Sequence, residues 1–245
     1  MTPNVTSEIV SRPVLLLLPG LLCDEATWSA QCEALPQAHC VVPSYGSLSS
    51  ITAMARHVLA QAPAERFSLA GHSMGGRVAL EMHRLAPERV QRLAILDSGV
   101  DPLAEGEAGA SERAKRMALL RIAREQGMRA LAQAWAPGMV HPDRLGTPVF
   151  EDILAMVERK TPEIFAAQIE ALLGRPDARG VLASVECPLL LLCGRQDAWS
   201  PLERHRQMQA MQPRAKLVVV EDSGHMTPME QPEAVTAALA DWLRL

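Results

Sequence analysis

Ser73 stands in the stretch AGHSMGG, residues 70–76, where an apolar run gives way to a helical pattern. A serine hydroxyl is a weak nucleophile until a base takes its proton, so the chemistry depends on how the residue is held. Phe67 to Ala70 reads as a strand and Arg77 to His83 as a helix. A strand that turns at once into a helix crowds the positions two before and two after the apex. Gly71 and Gly75 occupy those positions,. A GxSxG string alone says little; between these two elements it predicts a turn that lifts the Ser73 hydroxyl above the edge of a sheet. The helix N-terminus beneath it favours developing negative charge.

A base must then reach the same edge. The chain has seven histidines, and position selects among them. His72 is Ser73's neighbour, but the turn directs it to another face. His83 falls on the helix, while His57, His141 and His205 fall in helices or polar connections that suit surface roles. His225, in EDSGHMTP, directly follows the last apolar run and so shares an edge with Ser73. The third group is a carboxylate that fixes the imidazole. Asp197 in CGRQDAWSP follows the run Leu189 to Cys193 and precedes a helix; with Pro201 nearby it also reads as a turn cap,. Asp97 in LDSG, at the end of Arg92 to Leu96, is its rival. Asp197 completes the chain order Ser, Asp, His that goes with this kind of turn.

The elements that must carry these residues are legible as six continuous apolar runs: 14–18, 39–42, 66–70, 92–96, 188–193 and 216–220. Continuity, in place of alternation, predicts strands buried on both faces. Helical spacing lies between them, as in Met54, Val58 and Leu59, in Val78, Met82 and Leu85, and in Val235, Leu239, Trp242 and Leu243 behind Pro232,. Strand–helix alternation predicts an α/β fold with a mostly parallel sheet covered by helices on both faces. The alternation stops between Val100 and Leu182. Ser111 caps one expected helix, which Gly127 closes; Val149, Ile153, Met156 and Val157 share a face of a second; Thr161-Pro162 opens a third that ends at Gly174,. The reading is a core of residues 1–100 and 182–245 with a helical cap, residues 101–181, inserted over the C-terminal edge of the sheet, where open α/β sheets bind ligands.

Composition narrows the function. The 245 residues are 48% apolar and 21% charged, with a net charge of −4. The basic residues are spread along the chain, and those from Arg113 to Arg129 look like a solvated helix face, so no nucleic-acid footprint is expected,. Five cysteines without CxxC spacing read as reduced core thiols in a cytoplasmic protein,. The first residues, MTPNVTSEIVSR, lack a basic n-region, and Val14 to Leu18 is too short for a signal or a membrane span, which leaves the Asn4 sequon without expected use,. The histidines lack ligand spacing and no phosphate-binding glycine loop appears, so no metal and no cofactor is expected.

LLPGLLCDEATW, AGHSMGG, LDSG, CGRQDAWSP and SGHMTPMEQP occur in that order over nearly the whole chain. In this the sequence resembles the α/β-hydrolase superfamily, specifically its small capped esterase and lactonase-like members. The resemblance implies that Ser73 is the nucleophile, His225 the base and Asp197 the residue that orients it. It also implies an oxyanion hole formed by the backbone amides of Met74 and Leu21. The family's usual His-Gly-x-Gly is Pro19-Gly20-Leu21-Leu22 here, and Leu22 in place of glycine restricts φ and ψ,. The implied substrate is a small or medium apolar ester, thioester or lactone, held among Leu, Ile, Met and Ala with Trp135, Phe150 and Phe165 as larger walls. Two further readings stay open. The same three residues could serve enol-lactone or carbon–carbon hydrolysis or acyl transfer, or the pocket could be a non-catalytic receptor.

Overall fold

The computed structural model describes residues 12–244; the N-terminal stretch carrying the Asn4 sequon lies outside them. All six apolar runs form strands: β1 (Val14–Leu18), β2 (His39–Val41), β3 (Phe67–His72), β4 (Val90–Leu96), β5 (Leu189–Gly194) and β6 (Lys216–Val220). They lie in one sheet in the order β2-β1-β3-β4-β5-β6, and every neighbouring pair is parallel. Successive residues of β1 feed opposite faces. Leu15 and Leu17 join Trp28, Leu35, Val235, Leu239 and Trp242, whereas Leu16 and Leu18 join Met54, Val58, Val78 and Met82. Both faces are therefore apolar because both are covered.

Helices α1 (Ser29–Ala34) and α11 (Pro232–Arg244) cover the first face. Helices α2 (Ile51–Gln61), α3 (Met74–Leu85) and α9 (Leu202–Met211) contribute to the second. The short α10 (Thr227–Glu230) follows β6. The order in which strands are added reverses between β1 and β3, with β2 on one side and β3 to β6 on the other, the kind of switch point at which the strand ends leave a crevice,. Leu21, Ser73, Asp97, Asp197 and His225 all lie just beyond the C-terminal ends of their strands, around that crevice.

Between β4 and β5 the chain is helical: α4 (Gly106–Gln126), α5 (Met128–Trp135), α6 (Pro148–Glu158), α7 (Pro162–Leu173) and α8 (Arg179–Ala183). Helix α7 has the bounds its sequence signals predict, and Thr161 Oγ1 accepts the Ile164 amide at 3.3 Å as an N-cap,. Helix α4 begins at Gly106, five residues before Ser111, which lies inside it; Glu105 is the N-cap residue. The run GEAGA is short of large apolar residues and carries Gly109, a poor helix former, so local pattern places the start later than Gly106, where the chain turns at φ +65,. Helices α4, α5, α6 and α7 pack on one another, while α8 packs on α3 and α9. Among the described residues no helix is long and apolar enough to cross a membrane.

Candidate active site

The turn after β3 is built on close approach. A Cβ on Gly71 would lie 2.3 Å from the Gly75 carbonyl oxygen, and one on Gly75 would lie 2.1 Å from that of Leu18. Real Cβ atoms do not sit there, so glycine is obligatory at both positions. Between them Ser73 adopts φ +53, ψ −116, a left-handed conformation that non-glycine residues rarely take, as the residue before α3,. Its amide donates to Leu96 O at 2.9 Å, and its carbonyl accepts the Ser98 hydroxyl at 2.7 Å. These bonds fix the strained residue against β4, with its hydroxyl facing the crevice.

The structure brings the three sequence-predicted side chains into one line. Ser73 Oγ lies 2.9 Å from His225 Nε2, and His225 Nδ1 lies 2.8 Å from Asp197 Oδ2. Asp197 divides its oxygens. Oδ2 faces the imidazole while Oδ1 accepts the amides of Trp199 at 2.7 Å and Ser200 at 2.8 Å. One carboxylate thus serves both as the turn cap and as the partner of the His225 ring. Burial pushes the Asp197 carboxyl up, but His225 and those two amides outweigh it and hold it below the usual range,. An ionised acceptor on Nδ1 leaves Nε2 free to take a proton from the hydroxyl, which is what an activated serine requires.

Asp97 takes no part in that line. Its Oδ1 accepts the Gly194 amide at 3.0 Å and its Oδ2 the Thr227 hydroxyl. Burial, together with the Asp197 charge, pushes its carboxyl well above the usual range. It ties the end of β4 to β5 and α10.

Three polar residues near the line were invisible as such in the sequence. His72 is buried, and its Nε2 donates to the carbonyl of His225 at 2.7 Å, so the side chain expected on another face holds the His225 loop. Burial, then the neighbouring His225, lowers His72 to about 3, which keeps it neutral. Glu230 is buried and accepts three backbone amides, from Gly224, Met226 and His141. Gln168, on α7, accepts the Leu22 amide at 2.9 Å. His205, expected at the surface, is also fully buried and lowered to about 4 by burial. The contacts of His72 with His225, of Gln168 with Leu22 and of Glu230 with His141 join residues far apart in the chain, where local pattern carries no signal.

Leu22 itself takes φ +59, so the glycine-type conformation is kept despite the side chain, which is wholly buried. The amides of Met74 and Leu21 donate to no acceptor among the described residues, and both residues line the cavity beside Ser73 and His225. That cavity has a volume of about 860 Å³. Trp135, Met139 and Leu172 from the helical segment line it, as does Trp199, whose ring lies 5.4 Å from that of His225. Of the expected walls, only Trp135 reaches it. Phe165 is buried behind Trp135, at 6.2 Å between rings, and Phe150 packs against the core. Met156 instead accepts a hydrogen bond from Thr27 Oγ1 at 3.3 Å. The cavity is also more charged than expected, since Arg77, Arg116, Arg175 and Arg204 line it alongside Glu112. Among the described residues no group of three or more His, Cys, Asp or Glu side chains is placed to hold a metal ion.

A family model described as the alpha/beta hydrolase family matches residues 15–238. The chain is 29% identical to a pimeloyl-[acyl-carrier protein] methyl ester esterase from Nitrosomonas europaea, over 90% of this chain and 92% of that one. It is 28% identical to a 2-succinyl-6-hydroxy-2,4-cyclohexadiene-1-carboxylate synthase from Serratia proteamaculans, over 95% and 93%. A thermophilic esterase from Thermogutta terrifontis, solved with malate bound, superposes with a TM-score of 0.84 at 29% identity, covering 95% of this chain and 89% of the other.

Proposed function

The chain belongs to the alpha/beta hydrolase family, and from that premise we propose that it is a serine hydrolase cleaving a small or medium carboxylic ester through an acyl-serine intermediate. Ser73 is the nucleophile, His225 the base and later the acid, and Asp197 holds the imidazole in the productive tautomer. The Met74 and Leu21 amides receive the oxyanion. Residues 101–181 roof the cavity and shape it to the substrate.

The observation that carries this reading is the unbroken line from Ser73 Oγ through His225 to Asp197, at 2.9 and 2.8 Å, opening onto a cavity. In the forward step His225 Nε2 takes the seryl proton as Oγ adds to the acyl carbon, and the proton then passes to the departing alcohol. Water repeats the sequence on the acyl-enzyme. Two free backbone amides at the developing oxyanion act in a site walled by Trp135 and Trp199, and each such donor supplies about 3 kcal/mol in comparable sites. Support for the coarse reaction class comes also from the relatives, whose names include an esterase.

The test is covalent. A small fluorophosphonate should label one residue, Ser73, with loss of ester turnover in step, and Ser73→Ala should abolish both while the fold persists. Labelling elsewhere, or ester turnover in Ser73→Ala within tenfold of the parent, would overturn the assignment. A panel of esters, thioesters and lactones then separates ester cleavage from other uses of the same three residues.

A further inference from the structure

The cavity over Ser73 holds more cationic charge than its own carboxylates neutralise. Arg116 and Arg175 share one partner: Arg116 Nε donates to Glu112 Oε1 at 3.0 Å, and Arg175 donates through both terminal nitrogens at 2.8 and 2.9 Å. Arg77 and Arg204 have no carboxylate partner among the described residues. Arg77 Nη1 donates to the Asp101 carbonyl at 2.8 Å, and Arg204 Nη1 to the Trp199 carbonyl at 3.1 Å. The two side chains meet over Gly99, where a Cβ would lie 2.7 Å from Arg204 Cδ and 3.4 Å from Arg77 Nη2.

Such a pair is costly. A partly buried guanidinium loses hydration, and a second one close by adds repulsion. Burial, followed by the neighbouring Arg175 and Arg204, draws Arg77 down to about 9, against the opposing charges of Glu112 and Asp101. Carbonyl acceptors alone do not call for a guanidinium, and hydrogen bonds to two carbonyls leave most of the donors of the pair unspent. An incoming anion removes both penalties at once.

The location decides what kind of ligand carries that anion. Arg77 follows Ser73 by four residues, about 6 Å along the axis of α3. Arg204 is tied to the carbonyl of Trp199, whose ring lies 5.4 Å from the His225 ring. Both arginines line the same cavity as Ser73. Asp101 and Glu112 line it too, but with Lys115, Arg116 and Arg175 beside the pair the lining stays net positive, and the planar guanidinium forks match a carboxylate oxygen pair,.

We propose that Arg77 and Arg204 form a carboxylate-binding subsite, and that the substrates are half-esters of short dicarboxylic acids. The free carboxylate docks at the arginine pair and the esterified carbonyl lies at Ser73. The inference rests on the serine-hydrolase reading above. Ser73 Oγ bonds to the acyl carbon, and the alcohol leaves with the proton relayed by His225. Water then cleaves the acyl-serine bond, giving the dicarboxylate, free Ser73 and one proton released to solution for each ester cleaved.

Proton release from monomethyl glutarate, set against the neutral methyl pentanoate, reads the subsite directly. The half-ester should be favoured about 10–100-fold in kcat/KM, the range expected of charge-assisted hydrogen bonds. That ratio should fall toward one in Arg204→Met and Arg77→Met, and should shrink as salt is added. Arg204→Met carries the test alone if Arg77→Met does not fold. A ratio at or below one in the parent, or a ratio that neither substitution changes, overturns the proposal. Calorimetry on Ser73→Ala separates the two layers of inference. Glutarate binding to Ser73→Ala that requires the arginines, while Ser73 of the parent resists fluorophosphonate, keeps the subsite and removes the hydrolase reading. Labelling of Ser73 without glutarate binding or half-ester preference does the reverse. Saturation by inorganic phosphate but not by glutarate overturns the carboxylate assignment.

Discussion

Glu230 grips the chain on both sides of His225. Its Oε1 accepts the amides of Gly224 and Met226, each at 3.0 Å, while its Oε2 accepts the His141 amide at 2.6 Å. The imidazole is thus positioned by a carboxylate it never touches. Burial pushes that carboxyl up, against the three amides, which favour its charged form.

Glu230→Gln keeps one acceptor oxygen and turns the other into a donor facing an amide. Urea unfolding should show a loss of about 1–3 kcal/mol, the cost of one buried unsatisfied pair. Ester turnover should fall in kcat more than it rises in KM, because the change reaches the reacting atoms through the placement of His225. An unchanged kcat in a destabilised variant would limit Glu230 to a stability role.

Asp197→Asn should lower kcat by about 10⁴, since the amide can present the wrong group to Nδ1 and favour the wrong tautomer. Asp97→Asn should cost far less in turnover, because Asp97 meets Gly194 and Thr227 and not His225. Steady-state kinetics on the two variants side by side decides it. A reversed order would move the orienting role to β4.

Gln168→Met removes the acceptor of the Leu22 amide, on a residue already held at φ +59. The freed loop carries Leu21, whose amide is assigned to the oxyanion. A drop in kcat of roughly 10–100-fold is expected, less than or comparable to the loss of one oxyanion donor. Burst kinetics should show the acylation step slowed.

Two buried neutral histidines set an acid limit on the fold. His72 is lowered to about 3 and His205 to about 4, both chiefly by burial. In the unfolded chain a histidine titrates near 6.5, so below that pH the unfolded state binds more protons. The stability these groups contribute is therefore complete above about 6.5 and is lost as pH falls toward 3–4, by about 1.4 kcal/mol for each unit of lowered pKa. Urea midpoints measured from pH 7 to pH 4 should decline, and His205→Gln should flatten the decline.

The parts of this molecule that follow from local pattern were legible in its sequence. Strands such as Leu189–Gly194 are continuous apolar runs because helices cover both faces, and the Ser73 turn announces itself because Gly71 and Gly75 admit no Cβ. Ser73, His225 and Asp197 could be chosen by their address at strand ends. What stayed hidden is tertiary. Gln168 meets Leu22 across 146 residues and His72 meets His225 across 153, and neither pair leaves a local trace. The basic residues read as spread along the chain, since Arg77, Arg116, Arg175 and Arg204 come from four separate stretches that only the fold gathers. Helix α5 escaped because eight residues behind a glycine give barely two turns of spacing.

The seam between the helical segment and the His225 loop has a consequence for exchanging parts among relatives. His225 donates its amide to Met139 O at 2.6 Å, and His141 donates its own to Glu230. A Cβ on Gly224 would lie 2.7 Å from both Met139 O and Val140 C, so the two chains run in backbone contact. On the segment's side both bonds use main-chain atoms, so the side chains at 139 and 141 can drift without breaking them. Its length cannot. Deleting one residue from 139–141 would shift the register and withdraw a carbonyl and an amide together. A chimera that imports a foreign helical segment should therefore work only if the graft supplies that carbonyl and that amide in the same register, whatever helices surround them.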